Sequence, residues 1–286
     1  MSRYNKILVA MDGSEASKNA LRQSFKLAFD EKMWMTVVAI DPPYLGDMEL
    51  VGISNIKDVL KGKGVGILEE AAQIAEEAKA SIKTRHEEGE PFEKIVEIAA
   101  EEKCDLIVMG RRGMTGIERT LMGSVTAKVI GHFKGRTLVV PEDTTINWGD
   151  ILIAYDGSKY SEAALFEAID YAKSYDGSLK IVNAVYTNDE FIANAPDVVE
   201  KMVEKAKENL SSAKEKAVQE GVEAEVFVRE GEPYDVITKL AEDLKTSTII
   251  MGSRGKTQLG RILMGSVTSR VIGYAPCPVM VINKLV

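Results

Sequence analysis

One pattern occurs twice in the sequence and limits the possible folds more than any other feature. Gly-x2-Gly-x9-Gly-Ser runs from Gly110 to Ser124 and again from Gly252 to Ser266. Two other segments are repeated with it: an apolar run ending in Asp-Gly-Ser (residues 7–14 and 151–158), and Gly-Glu-Pro followed by an aromatic residue (residues 89–92 and 231–234). This internal duplication predicts two similar domains, residues 1–144 and 145–286, with a linker near residues 141–148.

Within each half, apolar runs alternate with segments of helical period. In the first half, strands are predicted at residues 7–11, 35–40, 105–109 and 137–140, and helices at residues 16–29, 67–83, 91–102 and 125–130. A short third strand is expected near residues 84–87, and its counterpart at residues 223–229 has a clearer pattern. The predicted fold class is α/β: two tandem, open, five-stranded, Rossmann-like parallel sheets of order 3-2-1-4-5, with helices on both faces.

Two motifs that are distant in the sequence are expected to meet in each half. In sheets of this kind, ligands bind beyond the carboxyl ends of the strands, where the strand order reverses. With the order 3-2-1-4-5, this point lies between the first and fourth strands. Asp12 and Asp156 end the first strands, while Gly110 and Gly252 end the fourth. We therefore expect a crevice in each half, between the aspartate that ends the first strand and the glycine motif that follows the fourth.

The glycine motif favours an anion at that crevice. Gly110 and Gly113 allow the backbone to approach a ligand closely, and Gly123-Ser124 begins a helix whose free N–H groups and dipole attract negative charge. Each feature also has an ordinary structural explanation, because Gly-Ser often caps a helix and Asp-Gly-Ser is often a turn. The convergence of both features in both halves favours a phosphate-binding site.

These motifs resemble those of the ATP-binding branch of the universal stress protein family, and the chain is similar over nearly its whole length to a tandem two-domain member. The resemblance implies that Asp12 and Asp156 lie beside adenine and ribose, that Ala39 and Ala184 contact adenine through their backbone, and that Met109 and Met251 lie against the ribose. The other implied nucleotide-binding residues are Ala10, Gly110, Arg112, Gly113, Gly123, Ser124 and Val125 in the first half, and Ala154, Gly252, Arg254, Gly255, Gly265, Ser266 and Val267 in the second.

The resemblance also implies a function: a cytoplasmic, stress-response regulatory protein that binds ATP in each half, with ADP or AMP as alternatives and an accompanying Mg²⁺ left open. The sequence before the last strand follows the family pattern at residues 275–282 and departs from it at residues 133–140. A slow ATPase or nucleotidyl-transferring enzyme, and a scaffold without ligand, are the alternative functions. No G-x4-G-K-[ST] or G-x-S-x-G motif occurs, and phosphoryl transfer lacks a clear base.

Charge and composition restrict the partners. The net charge of −8 argues against nucleic acid and anionic membranes as partners. The N-terminal apolar run is short, and no segment approaches the roughly 20 apolar residues of a spanning helix, so a cytoplasmic location is the default expectation. Cys104 and Cys277 are expected to be buried thiols, with one disulfide as the alternative, and His86 and His132 are expected at surface or boundary positions.

Several sequence features allow two interpretations. Arg112 and Arg254 either reach phosphates or form salt bridges across the loop, while Arg119 and Arg261 are expected to serve packing or ion pairs. The glycine-rich excursion at residues 44–66 is expected to be a loop, with a lid as the alternative. The charged run at residues 200–216 is expected to be a solvated helix face.

The last strands of the two halves, residues 137–140 and 279–282, are expected at sheet edges, where unpaired backbone groups attract another strand. The family resemblance implies pairing through this strand. We therefore expect an intramolecular pseudo-dimer of the two halves with pseudo-twofold symmetry and with Val139 and Val281 near its axis. A further homodimer is left open, and the downstream protein partner is not specified by the sequence.

Overall fold

The structure is a computed structural model that describes residues 4–43, 56–111, 122–256 and 264–285, with the backbone alone for residues 56–61 and for Asp189. The chain divides into two compact units, with the main division between Asp143 and Thr144. Each unit contains one parallel sheet with its helices.

The first unit alternates strands and helices as the sequence predicts. Its elements are β1 (Lys6–Met11), α1 (Glu15–Asp30), β2 (Trp34–Asp41), α2 (Ile56–Glu77), β3 (Lys83–Glu88), α3 (Pro91–Glu101), β4 (Leu106–Gly110), α4 (Ser124–His132) and β5 (Arg136–Val140). The strands pair in the order β3-β2-β1-β4-β5, and every one of these pairs is parallel.

The second unit repeats this arrangement. Its elements are β6 (Asp150–Ala154), α5 (Lys159–Tyr175), β7 (Ser178–Val185), α6 (Asp189–Asn194), α7 (Pro196–Gln219), β8 (Ala224–Glu230), α8 (Pro233–Asp243), β9 (Thr248–Gly252), α9 (Ser266–Tyr274) and β10 (Val279–Ile282). The strand order is β8-β7-β6-β9-β10, again parallel. The predicted fold class and the order 3-2-1-4-5 are therefore confirmed within each unit.

Burial explains why the central strands are apolar along their whole length. Every residue of β4 and β9 is buried, because helices cover both faces of the strand. In the first unit, α1 packs against α2 and α3 packs against α4. Leu8 and Ile107 share a cluster with residues of α3 and α4. Each fully buried aliphatic side chain contributes about 1.5–3 kcal/mol to folding.

The edge strand β3 has a weak sequence signal for a physical reason. Its sequence KTRHEE is polar, and none of its residues is fully buried. It has β2 as its neighbour on one side, so one edge faces solvent within the unit. Polar side chains are therefore tolerated along it, and the apolar run that marks the other strands is missing.

Helix α2 begins earlier than predicted. The sequence placed its start at Ile67 and assigned residues 44–66 to a loop or lid, but residues 56–66 are helical and the helix ends at Glu77. Gly64 faces the sheet there: a Cβ atom at this position would lie 2.6 Å from Nε2 of His86 and 2.8 Å from Oδ1 of Asp41. Close packing of helix on sheet thus requires a residue whose helix propensity is low. Residues 44–55 lie outside the described part of the chain.

The predicted linker is partly packed into the second unit. Trp148 is 4% exposed, and its ring stacks on that of Tyr171 with the ring centroids 3.9 Å apart. The hydroxyl of Thr248 donates a hydrogen bond of 2.6 Å to the carbonyl oxygen of Asn147. The end of the segment is therefore anchored to the second sheet.

Both cysteines are free and buried. Burial raises the pKa of the Cys104 thiol to about 11 and that of the Cys277 thiol to about 12. Among the helices that the structure describes, none combines the length and the apolar character needed to cross a bilayer.

Candidate functional site

Each unit has a cavity at the carboxyl ends of its two central strands, where the strand order reverses. The cavity of the first unit has a volume of about 270 Å³ and that of the second about 640 Å³. The predicted residues that line the first cavity are Ala10, Asp12, Met109, Gly110, Gly123, Ser124 and Val125. Those that line the second are Ala154, Asp156, Ala184, Met251, Gly252, Arg254, Gly255, Gly265, Ser266 and Val267.

The aspartate at the end of the first strand organises the turn into the next helix. Oδ1 of Asp12 accepts hydrogen bonds from the amide and the hydroxyl of Ser14, at 3.0 and 2.6 Å. Oδ1 of Asp156 likewise accepts from the amide of Ser158 at 2.9 Å. Each serine then caps its helix, since its hydroxyl accepts from the amide of Ser17 or Ser161 at 3.2 Å. The repeated Asp-Gly-Ser is thus a turn and a helix cap at the cavity wall.

In the second unit, the same aspartate also holds the loop after the fourth strand. Oδ2 of Asp156 accepts a hydrogen bond of 3.0 Å from the amide of Lys256. A Cβ atom on Gly255 would lie 2.7 Å from that oxygen, so the loop reaches the carboxylate because this residue is glycine. The corresponding loop of the first unit contains Arg112 and Gly113, which lie outside the described residues, as do Arg119 and Arg261.

The glycine that ends the fourth strand is needed for packing within the protein. A Cβ atom on Gly110 would lie 2.7 Å from the backbone of Ala16 and of Ser17. On Gly252 it would lie 2.7 Å from the carbonyl carbon of Tyr160. The sequence interpretation assigned this glycine to close ligand approach. In the structure, the first turn of α1 or α5 occupies the space beside it.

The second glycine-serine pair precedes the N-terminus of a helix at each cavity. Gly123 and Gly265 are the N-cap residues of α4 and α9, and neither helix has a side-chain cap. The helices are tied to the strand ends because the hydroxyls of Thr126 and Thr268 donate to the carbonyl oxygens of Gly110 and Gly252, at 3.4 and 3.0 Å. An uncapped helix N-terminus presents N–H groups and a partial positive charge, which suit an anion.

Positive side chains also line the cavities. Lys63 of α2 lines the first, and Lys205 of α7 lines the second together with Arg254 and Lys256. The guanidinium of Arg254 lies over the ring of Tyr160, 5.5 Å from its centroid. The charged run at residues 200–216 was interpreted as a solvated helix face, but the same helix contributes a wall of the cavity.

A partly buried polar network borders the second cavity. Tyr155 lines the cavity, and its hydroxyl donates a hydrogen bond of 2.7 Å to Oε2 of Glu162, whose Oε1 accepts from Nζ of Lys216. Burial, followed by the hydrogen bond to Glu162, raises the pKa of Tyr155 well above its usual range. The phenol therefore stays protonated at neutral pH and serves as a donor in this network.

The register of the strands corrects one predicted correspondence. Ala10 pairs with Val38 in the first unit, and Ala154 pairs with Val182 in the second. Ile40 is consequently the counterpart of Ala184, whereas Ala39 corresponds to Asn183. Val38 and Ile40 line the first cavity, while Ala39 does not line it and is 1% exposed. Matching Ala39 to Ala184 shifts the alignment of the two halves by one residue. In a strand, a shift of one residue exchanges the side chains that face the cavity with those that face the opposite side of the sheet.

Some lining residues were missed although the repeat contains a signal for them. The segments Asp-Gly-Ser-x-x-Ser, Gly-Glu-Pro and Gly-Ser-Val-Thr occur in both halves. Their last residues all line the cavities: Ser17, Pro91 and Thr126 in the first unit, and Ser161, Pro233 and Thr268 in the second. These residues are repeated at equivalent positions of the two halves, although they belong to no known ligand-binding motif.

Comparison with known proteins agrees with this duplication. A family model described as the universal stress protein family matches residues 3–141 and again residues 147–283. The chain belongs to the universal stress protein family. The two matches, one in each half, confirm the resemblance that the repeated motifs indicated and show a tandem arrangement of two universal stress protein repeats.

Relatives match single repeats, and a solved structure matches the tandem. A universal stress protein of Methanocaldococcus jannaschii is 37% identical over 139 residues, which are 48% of this chain and 82% of that protein. Universal stress protein YxiE of Bacillus subtilis is 34% identical over 147 residues, 46% of this chain and 97% of its own. The crystal structure of a universal stress protein from Archaeoglobus fulgidus has a TM-score of 0.75 at 26% identity, covering 98% of this chain and 97% of its own.

Proposed function

We propose that this universal stress protein is a regulatory nucleotide-binding protein that holds an adenine nucleotide, ATP or its products ADP and AMP, at the carboxyl edge of each sheet. One observation carries the proposal. In each unit, an aspartate-bearing turn, a strand ending in glycine and an uncapped helix N-terminus line the same cavity. This combination offers N–H groups to phosphates and polar groups to a nucleoside within one pocket.

The parts of the nucleotide would be held by different elements. The amides at the starts of α4 and α9, in Ser124-Val125 and Ser266-Val267, would receive the phosphates. Arg254 and Lys256 would add positive charge in the second site. The aspartate side of each cavity would hold the nucleoside, with Met109 and Met251 against the ribose.

The hydrogen bonding of Asp156 favours a ligand over a substrate. Both carboxylate oxygens of this residue accept backbone amide hydrogen bonds, from Ser158 and from Lys256. These bonds commit both oxygens to the turn and the loop that shape the site, so neither oxygen is left free to position an attacking water as a general base would. We therefore propose that bound nucleotide acts as a signal whose presence changes what the protein contacts, with hydrolysis slow or absent.

The proposal is tested first by the ligand itself. The full chain is purified gently and denatured, and the released small molecules are analysed by mass spectrometry. Stripped protein is then titrated calorimetrically with ATP, with and without Mg²⁺. We expect an adenine nucleotide to be released and two equivalents of ATP to bind per chain.

Two matched variants assign each bound equivalent of ATP to one of the two cavities. Gly123→Val and Gly265→Val are each expected to remove one of them, because a branched side chain would stand in front of the helix N-terminus. The φ angles of these residues, −59° and −70°, suit any residue, so valine adds no strain from a positive φ. Gly62→Val, at an exposed position with no atom within 4 Å of the added Cβ, is the control. Two undiminished equivalents in both cavity variants would contradict the assignment.

A further inference from the structure

The two cavities differ along one wall. Ala10 pairs with Val38 in the first unit, and Ala154 pairs with Val182 in the second. Val38 is therefore equivalent to Val182, and the residues that follow them are equivalent one by one. Three consecutive positions at the ends of β2 and β7 line the cavities and differ in all three residues: Ile40, Asp41 and Pro42 in the first unit, and Ala184, Val185 and Tyr186 in the second. Lys63 and Lys205, by contrast, line the two cavities from equivalent helices.

In the first unit, this wall is bulky and polar. Ile40 has three more side-chain carbon atoms than its counterpart, Ala184. Oδ2 of Asp41 lies 2.8 Å from Nε2 of His86. Gly64 of α2 packs closely against both of these side chains. Pro42 has no aromatic face. At these three positions, an aromatic base would meet an aliphatic side chain, a carboxylate and a proline ring.

In the second unit, the same wall is open and aromatic. Ala184 leaves space, and Val185 stands where the first unit has a carboxylate. Tyr186 lines the cavity while 48% of its surface is exposed, and Met202 of α7 lines it with 37% exposed. The second cavity has a volume of about 640 Å³, against about 270 Å³ for the first. Large apolar side chains that remain half exposed inside a cavity offer surface for a ligand to cover.

We infer that Tyr186 stacks against the nucleobase in the second site and makes that site the tighter of the two for nucleotides that carry an aromatic base. This inference rests on the proposed nucleotide binding and adds which residue recognises the base. Stacking of a base on an aromatic side chain contributes a roughly five- to hundredfold gain in affinity. The phosphates are held by other elements, at the starts of α4 and α9, so Tyr186 is expected to contribute nothing to the affinity for a ligand without a base.

The test uses the full chain and two ligands, ATP and ribose 5-triphosphate, which has the same sugar and phosphates but no base. The parent is expected to bind ATP in a tight and a weaker class. Tyr186→Ala should weaken the tight class for ATP by about five- to a hundredfold and leave ribose 5-triphosphate binding unchanged. Tyr186→Phe, which keeps the ring, should retain the parental affinity.

Two control variants match the change. Pro42→Ala alters the equivalent position of the first site, and Phe166→Ala removes an aromatic side chain that is 40% exposed on α5. Neither is expected to weaken the tight class. A photoreactive analogue with an azido group on the base, 8-azido-ATP, should label the peptide that contains Tyr186.

The outcomes separate the two proposals. If ATP binds twice and Tyr186→Ala leaves the tight class unchanged, or weakens both ligands equally, the base-stacking inference is overturned while nucleotide binding stands. If the parent binds neither ligand, both are overturned. Selective loss of ATP affinity together with labelling of the Tyr186 peptide supports the inference.

Discussion

The amide of Lys256 donates a hydrogen bond of 3.0 Å to Oδ2 of Asp156, although the two residues are a hundred positions apart in the chain. This bond joins the end of β6 to the loop after β9. Within the second unit, the aspartate and the glycine motif are therefore connected by a protein contact before any ligand is considered.

Asp156→Ala removes the acceptor from both Ser158 and Lys256. Hydrogen bonds to a charged group contribute about 1.5–3 kcal/mol, so we expect ATP affinity at one of the two sites to fall about ten- to a hundredfold. Hydrogen exchange should show faster exchange of the Lys256 amide in the variant without ligand. Asp243→Ala, at an exposed aspartate of α8, is the control and should change neither quantity. Unchanged exchange at Lys256 would contradict the structural role of the carboxylate.

The same substitution, glycine to alanine, is expected to have opposite effects at Gly252 and Gly62. At Gly252, the added Cβ would lie 2.7 Å from the carbonyl carbon of Tyr160, and such overpacking costs about 1–3 kcal/mol. At Gly62, on the exposed side of α2, no atom lies within 4 Å, and alanine should stabilise the helix by about 0.5–1 kcal/mol. Urea unfolding of both variants measures the difference. Equal effects at the two positions would show that packing against α5 is not what requires Gly252.

The stability of the first unit should depend on pH through Glu102. Its side chain is 7% exposed and accepts hydrogen bonds from Lys83 at 2.6 Å, Thr36 at 2.8 Å and Lys6 at 3.3 Å. Burial opposes ionisation, but these hydrogen bonds outweigh it and lower the pKa of Glu102 to about 2.

Because the folded-state pKa is depressed, the stabilising contribution of Glu102 is present above the usual glutamate pKa and is lost as the pH falls from about 4.5 towards 2. Glu102→Gln should reduce the free energy of unfolding at pH 7 by about 1–3 kcal/mol and flatten its decline over that pH range. Urea unfolding at pH 7 and at pH 3 measures both effects. Glu97→Gln, in an exposed pair with Lys94, is the control and is expected to change stability much less. A variant as pH-sensitive as the parent would refute this prediction.

Association of the halves remains a prediction from the sequence and the family resemblance. Within the first unit, β5 pairs with β4 alone, and within the second, β10 pairs with β9 alone. Edge strands with apolar residues tend to pair further. Residues 1–144 and 145–286, produced separately, should bind each other or self-associate in analytical ultracentrifugation. Stable monomers with no mutual affinity at high micromolar concentration would exclude the pseudo-dimer.

Features set by short stretches of sequence could be predicted. The buried strands β1, β4, β6 and β9 were found because their apolar runs are continuous, and α3 because proline marks its first turn. The alternation of strands and helices predicted the fold class, and the duplication predicted one cavity in each half. The duplication also marks Ser17, Pro91 and Thr126, which recur in the second half as Ser161, Pro233 and Thr268, although they belong to no known ligand-binding motif.

Other features depend on contacts between distant residues and could not be predicted in this way. Helix α2 continues through three glycines between residues 62 and 66 despite their low helix propensity, and Gly64 packs there against His86 and Asp41, which are distant in the sequence. The sequence alone matches Ala39 to Ala184. The structure matches it to Asn183, because the register of β2 is set by its pairing with β1.

The sequence by itself determined that this chain contains two α/β repeats, each with an aspartate and a glycine motif at the edge of a parallel sheet, because apolar periodicity and turn motifs are local properties of the chain. Only the tertiary structure decided which side chains face each cavity: Ile40, Asp41 and Pro42 in one unit, and Ala184, Val185 and Tyr186 in the other. The reason is geometric, since the face that a strand residue presents depends on its register with a neighbouring strand that lies far away in the sequence.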